Sequence, residues 1–330
     1  MRKILVSGGA GYIGSHMVKS LLEHGYDVTV WDNFSNSSLK NLEKVQEITG
    51  KKIEVVDIDL RKVIKQNLLD IDTIVNFAAL KSVGESVKDP LAYYENNVYG
   101  TVNLLNFAKA NSINKFIFSS TSAVYGNAPT EVVNEETPTN PESPYGESKL
   151  MSEKVIRDTN KAFGINAVLL RYFNVAGNDD SGLIGDELKN PLNLIPRMIM
   201  AHLGYIDSKL QVFGDDYPTK DGTGVRDYIH VVDLVNAHIK AIEFLNNHKG
   251  VEVFNLGTGN GFSVLEIIKA FEEVTGEKLE YDMVPRRPGD VATTSTNTDK
   301  AAKFLDWKAE KDLKQMISSS WLWYTKHYKA

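Results

Sequence analysis

The segment Lys3–Gly14, with the sequence KILVSGGAGYIG, decides the fold of this chain. An apolar run comes first, the glycines Gly8, Gly11 and Gly14 follow, and a helical pattern continues beyond them. Glycine at such a turn permits positive φ angles and lets backbone N–H groups approach a pyrophosphate. The third glycine lets the helix pack closely on the strand. A strand before the turn and a helix after it predict a dinucleotide-binding site rather than a plain strand-to-helix turn.

Outward from this loop, short apolar runs alternate with helical patterns through the first half of the chain. Strands separated by crossover helices predict an α/β, Rossmann-type, doubly wound parallel sheet with helices on both faces. The predicted strands are Lys3–Ser7, Asp27–Trp31, Ile53–Asp57, Thr73–Phe77, Lys115–Ser119 and Asn166–Arg171. The predicted helices are Ile13–Glu23, Leu39–Thr49, Leu91–Ala110 and Tyr145–Phe163.

The alternation loosens in the second half, where Asn174–Pro191 is rich in Gly, Asn and Asp and is expected to be a loop. We predict a cofactor-binding Rossmann domain over residues 1–173, which later segments can complete, and a smaller mixed α/β substrate-binding domain over 174–330. Helices are expected at Leu194–Leu203, Val231–Asn246, Ser263–Thr275 and Leu313–His327. Strands are expected at Gln211–Phe213, Val253–Leu256 and Glu280–Val284.

Composition and charge narrow the class of protein. Hydrophobic residues make up 42% and charged residues 24%, the ordinary balance of a globular protein, and the net charge of -6 predicts no nucleic-acid or membrane partner. The absence of Cys excludes disulfides and thiolate catalysis, and the seven His residues have no metal-ligand spacing, so no metal site is predicted. Without a signal-like or membrane-spanning apolar run, we expect a cytoplasmic protein.

An acid follows the second predicted strand, at Asp32, with Asn33 beside it. An acid about 20 residues beyond the glycine loop typically bonds the ribose hydroxyls of NAD. Asp32 would repel the 2′-phosphate of NADP, and no Arg follows closely, so NAD is the predicted cofactor. Asp59, after the third strand, is a candidate acceptor for the adenine amino group, with a solvated loop acid as the alternative.

The segment Ser143–Lys149, SPYGESK, opens the fourth predicted helix and places Tyr145 and Lys149 on one helix face. A phenol has a pKa of about 10 and is a poor base at neutral pH. A nearby ammonium group or an oxidised nicotinamide stabilises its phenolate. Lys149 could also bond the nicotinamide ribose. The pair is therefore predicted to be catalytic, and a surface helix pair is the alternative.

Hydroxyl side chains cluster where the fifth predicted strand ends, in Phe116–Gly126, FIFSSTSAVYG. Ligands of parallel sheets lie at the carboxyl ends of the strands. One of these hydroxyls can therefore relay a hydrogen bond between substrate and phenolate. A strand-end turn of small polar residues is the alternative.

Taken together, these motifs resemble the extended short-chain dehydrogenase/reductase family, and within it the NAD-dependent epimerases of UDP-hexoses. The resemblance covers nearly the whole chain. The segments that carry it are Gly8–His16, Asp32–Asn33, Phe77–Val87, Tyr93–Val98, Arg171–Asn174, Asp216–His230 and Pro285–Asp290.

The resemblance implies a set of binding residues. Those expected to bind NAD are Gly8, Gly11, Tyr12, Ile13, Gly14, Asp32, Asn33, Asp59, Leu60, Phe77, Ala78, Ala79, Lys81, Asn96, Ser119, Tyr145, Lys149, Tyr172 and Phe173. Those expected to bind the UDP-sugar are Lys81, Thr121, Tyr145, Asn174, Asn193, Leu194, Gln211, Val212, Phe213, Arg226, Tyr228, Arg287, Asp290 and Thr294.

Two arginines in this set are implied to bind the diphosphate, since a guanidinium fork matches phosphate oxygens. For Arg226 the alternative is an ion pair with Asp227 or Asp233, and for Arg287 it is a solvated loop charge. The resemblance also implies that Asp290 bonds the uridine ribose.

The implied reaction is reversible inversion at C4 of UDP-glucose and UDP-galactose through a 4-keto sugar. Tyr145 would move the hydroxyl proton and a tightly held NAD the hydride. Thr121 falls at the family's relay position, and the adjacent Ser122 stays open as the alternative. The family also implies a homodimer, with Leu91–Ala110 and Tyr145–Phe163 as candidate interface helices.

The resemblance implies that substrate specificity depends on Thr294, because a bulky Tyr at this position would close the pocket to an N-acetyl group. Threonine leaves room, so UDP-GlcNAc and UDP-GalNAc are predicted as further substrates. A UDP-glucuronate epimerase is the nearest alternative, with Lys81 facing the sugar carboxylate. A 4,6-dehydratase would need an Asp-Glu pair after Thr121, but Ser122 and Ala123 occupy these positions. An NAD-sensing regulator tends to lose the catalytic Tyr and Lys, and this chain retains both as Tyr145 and Lys149.

Overall fold

The computed structural model describes residues 2–66, 70–187, 191–206, 209–287 and 290–328. Within these residues the strands are β1 Lys3–Ser7, β2 Asp27–Asp32, β3 Glu54–Asp57, β4 Ile71–Asn76, β5 Lys115–Ser119, β6 Val132–Val133, β7 Asn166–Tyr172, β8 Asn174–Ala176, β9 Leu210–Phe213, β10 Val225–His230, β11 Val251–Leu256, β12 Gly261–Ser263, β13 Tyr281–Val284 and β14 Thr293–Thr296.

The helices pack around these strands. They are α1 Tyr12–Glu23, α2 Lys40–Thr49, α3 Val83–Lys88, α4 Pro90–Tyr93, α5 Gly100–Ala110, α6 Pro144–Phe163, α7 Leu194–His202, α8 Val231–Phe244, α9 Val264–Thr275, α10 Asp299–Leu305 and α11 Leu313–His327. Among the residues described, no helix combines the length and the apolar character needed to cross a lipid bilayer.

The largest sheet has seven strands in the order β11-β7-β5-β4-β1-β2-β3, and every pair in it is parallel. The predicted doubly wound parallel sheet is confirmed. The chain runs outward from β1 through β2 to β3, and then returns to β4 on the other side of β1. Parallel sheets bind ligands in the crevice at such a reversal, beyond the carboxyl ends of the strands.

The two faces of this sheet bury two separate cores. Ile4 and Val6 in β1 point to the face covered by α1 and α8, and Leu5 points to the face covered by α5 and α6. All three side chains are fully buried. Helices on both faces leave no polar face to the strand, which is why β1 is a continuous apolar run and does not alternate.

The seventh strand comes from the second half of the chain. Strand β11 pairs with β7 from Val251 opposite Ala167 to Leu256 opposite Tyr172. Helix α8, also from the second half, packs against α1. Later segments therefore complete the Rossmann sheet, as the sequence prediction allowed, and the division at residue 173 stays a prediction.

Two segments differ from the sequence prediction. The single helix expected at Leu91–Ala110 is instead α4, a π-helical turn at Tyr94–Tyr99 and α5. The loop expected at Asn174–Pro191 begins with β8, which pairs with β10 some 50 residues later, and residues 188–190 lie outside the described residues. The local sequence pattern predicts neither the π-helical turn nor β8, since both depend on tertiary contacts. Other elements that the sequence did not predict are α3, α10, β6, β10, β12 and β14.

The smaller unit is built on β10, the centre of a sheet with the order β12-β10-β14-β6 to which β8 also pairs. Its own core lies among α7, α9 and α11 and includes Met198, Phe271 and Trp323. The second glycine cluster, Gly257–Gly261, leads through β12 into α9, where Ser263 and Glu266 form a capping box.

The contact between Gly14 and Gly8 yields the first testable prediction. A Cβ on Gly14 would lie 2.1 Å from the Gly8 carbonyl oxygen and 2.7 Å from the Gly9 Cα. We expect Gly14→Ala to lower the free energy of unfolding by about 2 kcal/mol or more, because rigid backbone has to move. Gly100→Ala is the matched control, since its Cβ meets only the Leu60 Cβ at 3.4 Å. Urea titration of both variants, followed by circular dichroism, measures the difference. Equal stabilities would contradict the expectation.

Candidate active site

A long cavity opens at the carboxyl ends of the strands of the seven-stranded sheet. It runs from the glycine loop and the end of β2, past the ends of β4 and β5, to the first turns of α6. The described residues that line it are Gly8, Gly11, Tyr12, Ile13, Gly14, Trp31, Asp32, Asn33, Ser35, Asn36, Ile58, Leu60, Phe77, Ala78, Ala79, Leu80, Lys81, Asn96, Ser119, Tyr145, Lys149, Tyr172 and Asp186.

The glycine loop forms a cradle suited to a pyrophosphate. Gly8 has a φ of 75°, and a Cβ at this position would lie 2.6 Å from the backbone N of Ala78. Gly11 is the N-cap of α1, and no side chain caps the helix there. The first N–H groups of α1 therefore face the cavity, where an anion is stabilised by these donors and by the helix dipole. The residues present fit the diphosphate of a dinucleotide.

Next to the glycine loop, at the end of β2, the Asp32 carboxylate holds the loop in place through hydrogen bonds. Its carboxylate accepts hydrogen bonds from the backbone N–H groups of Ala10 and Phe34, each at 3.0 Å, and from the Ser37 hydroxyl at 2.8 Å. The side chain still borders the cavity with Asn33 beside it. A fixed carboxylate at this place suits a ribose diol and disfavours a phosphate, as expected for NAD.

Asp59 does not border the cavity, although Leu60 does. Its carboxylate pairs with Arg61 at 2.7 Å, and hydrogen bonding from that guanidinium group lowers the pKa of Asp59. The predicted contact with adenine therefore stays a prediction for Asp59.

The other end of the cavity is formed by the segment that follows β4, by the π-helical turn and by β7. Asn96 borders it and donates to the Asn97 side chain at 3.0 Å. The buried Asn97 in turn bonds both backbone groups of Leu80. Asn97 thus holds the cavity wall in place, a role that the sequence did not indicate.

Two residues predicted near the nicotinamide have different surroundings. The Tyr172 phenol borders the cavity and is hydrogen-bonded to the Ser119 hydroxyl. Phe173 points away and is buried with Val124 and Leu150. Alternation along an extended strand sends neighbours to opposite faces, so only Tyr172 presents its side chain to the cavity.

Lys149 is the buried ammonium group of the site. Its side chain is 4% exposed, and its Nζ donates to the Ser119 carbonyl oxygen at 2.8 Å. Burial lowers the pKa of Lys149 to about 7, while the charge of Glu153 opposes this shift. The ammonium group is therefore poised to lose or keep its proton near neutral pH.

Tyr145 lies one helical turn earlier and borders the same cavity. Burial raises the pKa of its phenol to about 12, and a hydrogen bond with the Thr121 side chain opposes the rise. Of the two relay candidates, Thr121 is the one in contact with the phenol, and Ser122 begins a short 3-10 turn. Such a phenol needs a nearby positive charge to act as a base at neutral pH.

Apart from Lys81, Thr121 and Tyr145, the residues predicted to bind the UDP-sugar lie on the smaller unit. Four of them line a second, smaller pocket, namely Asn174, Asn193, Leu194 and Tyr228. On β10, Arg226 lies 3.9 Å from Asp290 and opposite Thr294 on β14. The guanidinium group also donates to the Val225 carbonyl oxygen at 2.8 Å. The ion pair is thus with Asp290, and neither Asp227 nor Asp233 is its partner in the described structure.

The remaining substrate residues lie around β9. The Arg287 guanidinium group stacks on the Phe213 ring with 3.7 Å to its centroid. Gln211 is exposed, whereas the Val212 side chain is buried in the smaller core. The Pro285–Asp290 loop is only partly described, because residues 288 and 289 lie outside the described residues. The implied binding of the diphosphate by Arg287 and of the uridine ribose by Asp290 stays a prediction.

Sequence reasoning missed Glu153, which lies eight residues beyond Tyr145 on the same face of α6. It is 1% exposed and forms a bidentate ion pair with Arg171. The spacing of four that linked Tyr145 to Lys149 could have found it, since it continues from Lys149 to Glu153.

Comparisons with known proteins agree with this geometry. A family model described as GDP-mannose 4,6 dehydratase matches residues 5–320. The UDP-glucose 4-epimerase of Bacillus subtilis (strain 168) is 47% identical over 328 residues, which cover 97% of this chain and 96% of that protein.

Solved structures are similar over the same length. UDP-glucose 4-epimerase from Bifidobacterium longum in complex with NAD+ and UDP has a TM-score of 0.92 at 46% identity, over 98% of each chain. The UDP-Glc/GlcNAc 4-epimerase from Campylobacter jejuni has a TM-score of 0.85 at 39% identity, over 99% of this chain and 100% of that one. The chain therefore belongs to the UDP-glucose 4-epimerase family, within the extended short-chain dehydrogenases and reductases.

Proposed function

We propose that this chain is an NAD-dependent isomerase that interconverts UDP-glucose and UDP-galactose by inversion at C4. The observation behind this function is the convergence of the Tyr145 phenol and the Lys149 ammonium group on the cavity beside the glycine loop, with the Thr121 side chain hydrogen-bonded to the phenol. The family model is described as a 4,6 dehydratase, but dehydratase activity is disfavoured for this chain, since Thr121 is followed by Ser122 and Ala123 and not by acidic residues.

The chain's own residues move the proton. Tyr145 takes the proton of the 4-hydroxyl and later returns one to the 4-keto oxygen, with Thr121 bridging phenol and sugar. Lys149 stabilises the phenolate through its positive charge. When bound, NAD would supply a hydride acceptor for C4 and, in its reduced form, the hydride donor for the 4-keto sugar. Held by Gly8–Gly14 and Asp32, it would be neither consumed nor exchanged.

The UDP half of the substrate supplies the binding energy while the hexose stays free to turn. Arg226 and Arg287 would hold the diphosphate with bidentate hydrogen bonds. Asp290, whose carboxylate lies 3.9 Å from the Arg226 guanidinium group, would bond the uridine ribose beside the diphosphate. Inversion at C4 requires tight binding of the nucleotide and weak binding of the sugar, because the sugar has to turn over between the two hydride transfers.

N-acetylated UDP-hexoses are proposed as further substrates. Thr294 lies opposite Arg226 in the β10–β14 register, and its short side chain would leave room for an acetyl group. The similarity to a UDP-Glc/GlcNAc 4-epimerase supports this extension. UDP-glucuronate is the alternative substrate, and Lys81 at the cavity wall is the cation that could meet its carboxylate.

We also propose a homodimer in the cytoplasm. Apolar side chains are exposed along α3, α4 and α6, which pack against one another. Val87 is 64% exposed and Leu91 77% exposed, and Val83, Tyr99 and Met151 lie on the same helices and the π-helical turn. Exposed apolar patches of this kind mark contact surfaces, and a second copy of the chain would cover this one.

Product analysis tests the proposed reaction. Purified protein, with no NAD added, is expected to convert UDP-galactose into UDP-glucose, and Tyr145→Phe is expected to lower kcat at least ~100-fold while still binding NAD. Tyr26→Phe, a phenol at the distant α1–β2 turn, is the matched control and should retain activity. UDP-glucuronate is included as a competing substrate. Failure of the wild-type protein to form UDP-glucose would disprove the function.

The N-acetyl activity has its own test at Thr294. We expect Thr294→Tyr to reduce turnover of UDP-GalNAc at least ~tenfold while UDP-galactose turnover changes little, because the larger side chain occupies the acetyl space. The two rates are compared by chromatography of the products. A wild-type protein that converts UDP-galactose but shows no rate with UDP-GalNAc would contradict the proposal.

The dimer is tested by sedimentation velocity. Leu91→Glu is expected to shift the wild-type dimer to a monomer, because a charge would be buried without a partner. Phe304→Glu on α10 is the matched control, an apolar side chain of 51% exposure outside the proposed face, and should leave the dimer intact. A monomeric wild-type protein, or a dimer that Leu91→Glu does not weaken, would speak against this interface.

A further inference from the structure

One segment of the smaller unit reaches back onto the cofactor-binding half of the molecule. We call this segment, residues 177–187 directly after β8, the strap. Helix α11 carries it, because the Asn178 backbone N–H donates to the Ser319 hydroxyl at 3.1 Å and the Lys326 Nζ donates to the Ser181 carbonyl oxygen at 2.7 Å. The strap is therefore part of the smaller unit, although its other side contacts α1 and the start of α2.

The strap bridges two walls of the cofactor cavity. On one wall, the Tyr12 hydroxyl at the start of α1 donates to the Gly177 carbonyl oxygen, and Tyr12 itself borders the cavity. On the other wall, the Ser38 hydroxyl donates to the Glu187 carboxylate at 2.6 Å. Ser38 follows Asn36, another residue of the cavity wall, by two positions. A dinucleotide bound between these walls would therefore lie beside a segment that joins them.

Asn41 on α2 fixes the strap at its innermost point. This side chain is 3% exposed, and its Nδ2 donates to the Gly185 carbonyl oxygen at 2.9 Å while its Oδ1 accepts from the Gly185 backbone N–H at 3.2 Å. One amide thus satisfies both backbone polar groups of a buried residue. Gly185 is pressed against α11, since a Cβ there would lie 2.5 Å from the Trp323 ring. The next residue, Asp186, borders the cavity, so Asn41 holds the strap where it meets the cofactor site.

The strap also has contacts that do not involve Asn41. The Ile184 side chain is fully buried in the core on the α1 face of the sheet. The Lys19 ammonium group, also on α1, pairs with Asp179 at 3.2 Å. With these contacts in place, a change at Asn41 alone is expected to leave the protein folded and to favour local opening of the strap.

We propose that Asn41 is a positioning residue for the cofactor, which slows the dissociation of NAD by holding the strap across the cavity walls. A ligand enclosed between two parts of a chain leaves only when those parts separate. Separation at Asn41 breaks two buried hydrogen bonds, and this loss opposes opening. The inference rests on the proposed function in one respect, since a cofactor that returns to its oxidised form in each turnover has no need to exchange.

Loss of NAD from the purified holoenzyme tests the proposal. Wild-type protein and Asn41→Ala, both loaded with NAD, are dialysed against cofactor-free buffer without UDP-sugar. The NAD that stays bound is released by denaturation at intervals and measured by chromatography. We expect NAD to dissociate from Asn41→Ala at least about tenfold faster, because alanine can form neither hydrogen bond to Gly185.

Asn160→Ala is the matched control, since it removes the same side chain at a position far from the cavity. The Asn160 amide donates to the Ile165 carbonyl oxygen at 3.0 Å, where α6 leads into β7 at the opposite edge of the sheet. This variant is expected to lower the melting temperature and to lose NAD at the wild-type rate. Equally fast loss from both variants would identify general destabilisation as the cause and would overturn the proposal.

A tether across the strap separates positioning from stability. The chain has no Cys, so Ser38→Cys/Glu187→Cys introduces its only two thiols, at two side chains that contact each other. Added to Asn41→Ala, this pair can be joined by a short bismaleimide linker. The linked protein is expected to lose NAD as slowly as the wild type, and the unlinked protein to lose it fast. The linker restores no hydrogen bond of Asn41, so slow loss would identify the position of the strap as the cause.

Equal rates of NAD loss from the wild-type protein and Asn41→Ala, or an unchanged rate after linking, would overturn the proposal. If Asn41→Ala does not fold, the same thiol pair in the otherwise unchanged chain gives the test, with slower loss expected after linking than before. None of these measurements requires turnover. A protein that retains NAD through the strap but does not epimerise UDP-sugars would therefore refute the proposed function and leave this inference standing.

Discussion

The hydrogen bond from the Lys149 Nζ to the Ser119 carbonyl oxygen is the contact on which the site depends. It joins the helix that carries the phenol to the strand end that carries the relay hydroxyl. A buried ammonium group is tolerated only with such an acceptor and with a compensating charge nearby. Lys149 meets both conditions. The Ser119 carbonyl oxygen is the acceptor, and the Glu153 carboxylate, which is paired with Arg171 of β7, lies one turn further along α6.

The glycine loop imposes the complementary constraint on the cofactor. Because a Cβ on Gly14 would lie 2.1 Å from the Gly8 carbonyl oxygen, only glycine lets α1 pack this closely on the loop, and the first residues of α1 border the cavity. Asp32 fixes the loop from the neighbouring strand. The reversal of strand order between β1 and β4 then brings this phosphate cradle and the phenol of α6 to one crevice. The two ends of a dinucleotide are thus held by elements far apart in sequence.

Most of the large sheet could be predicted, because buried parallel strands and their helices have strong local periodicities. The glycine loop and the Tyr145–Lys149 pair were recognised because each depends on close spacing in sequence. What the sequence did not indicate depends on long-range contacts. Strand β8 forms only because β10 returns beside it, and Asn97 matters only because it meets Leu80 in space. The ion-pair partner of Arg226 likewise depends on the folded chain, which brings Asp290 beside it.

In the proposed reaction, the NAD bound in this crevice would accept a hydride from C4 and return it within one turnover, so that it begins and ends in the oxidised form. The most direct measurement uses UDP-galactose deuterated at C4, with no NAD added and unlabelled NADH in excess in the solution. Mass spectrometry of the UDP-glucose formed should find the deuterium retained at C4. Loss of the label to water, or its dilution by hydrogen from the added NADH, would contradict the account.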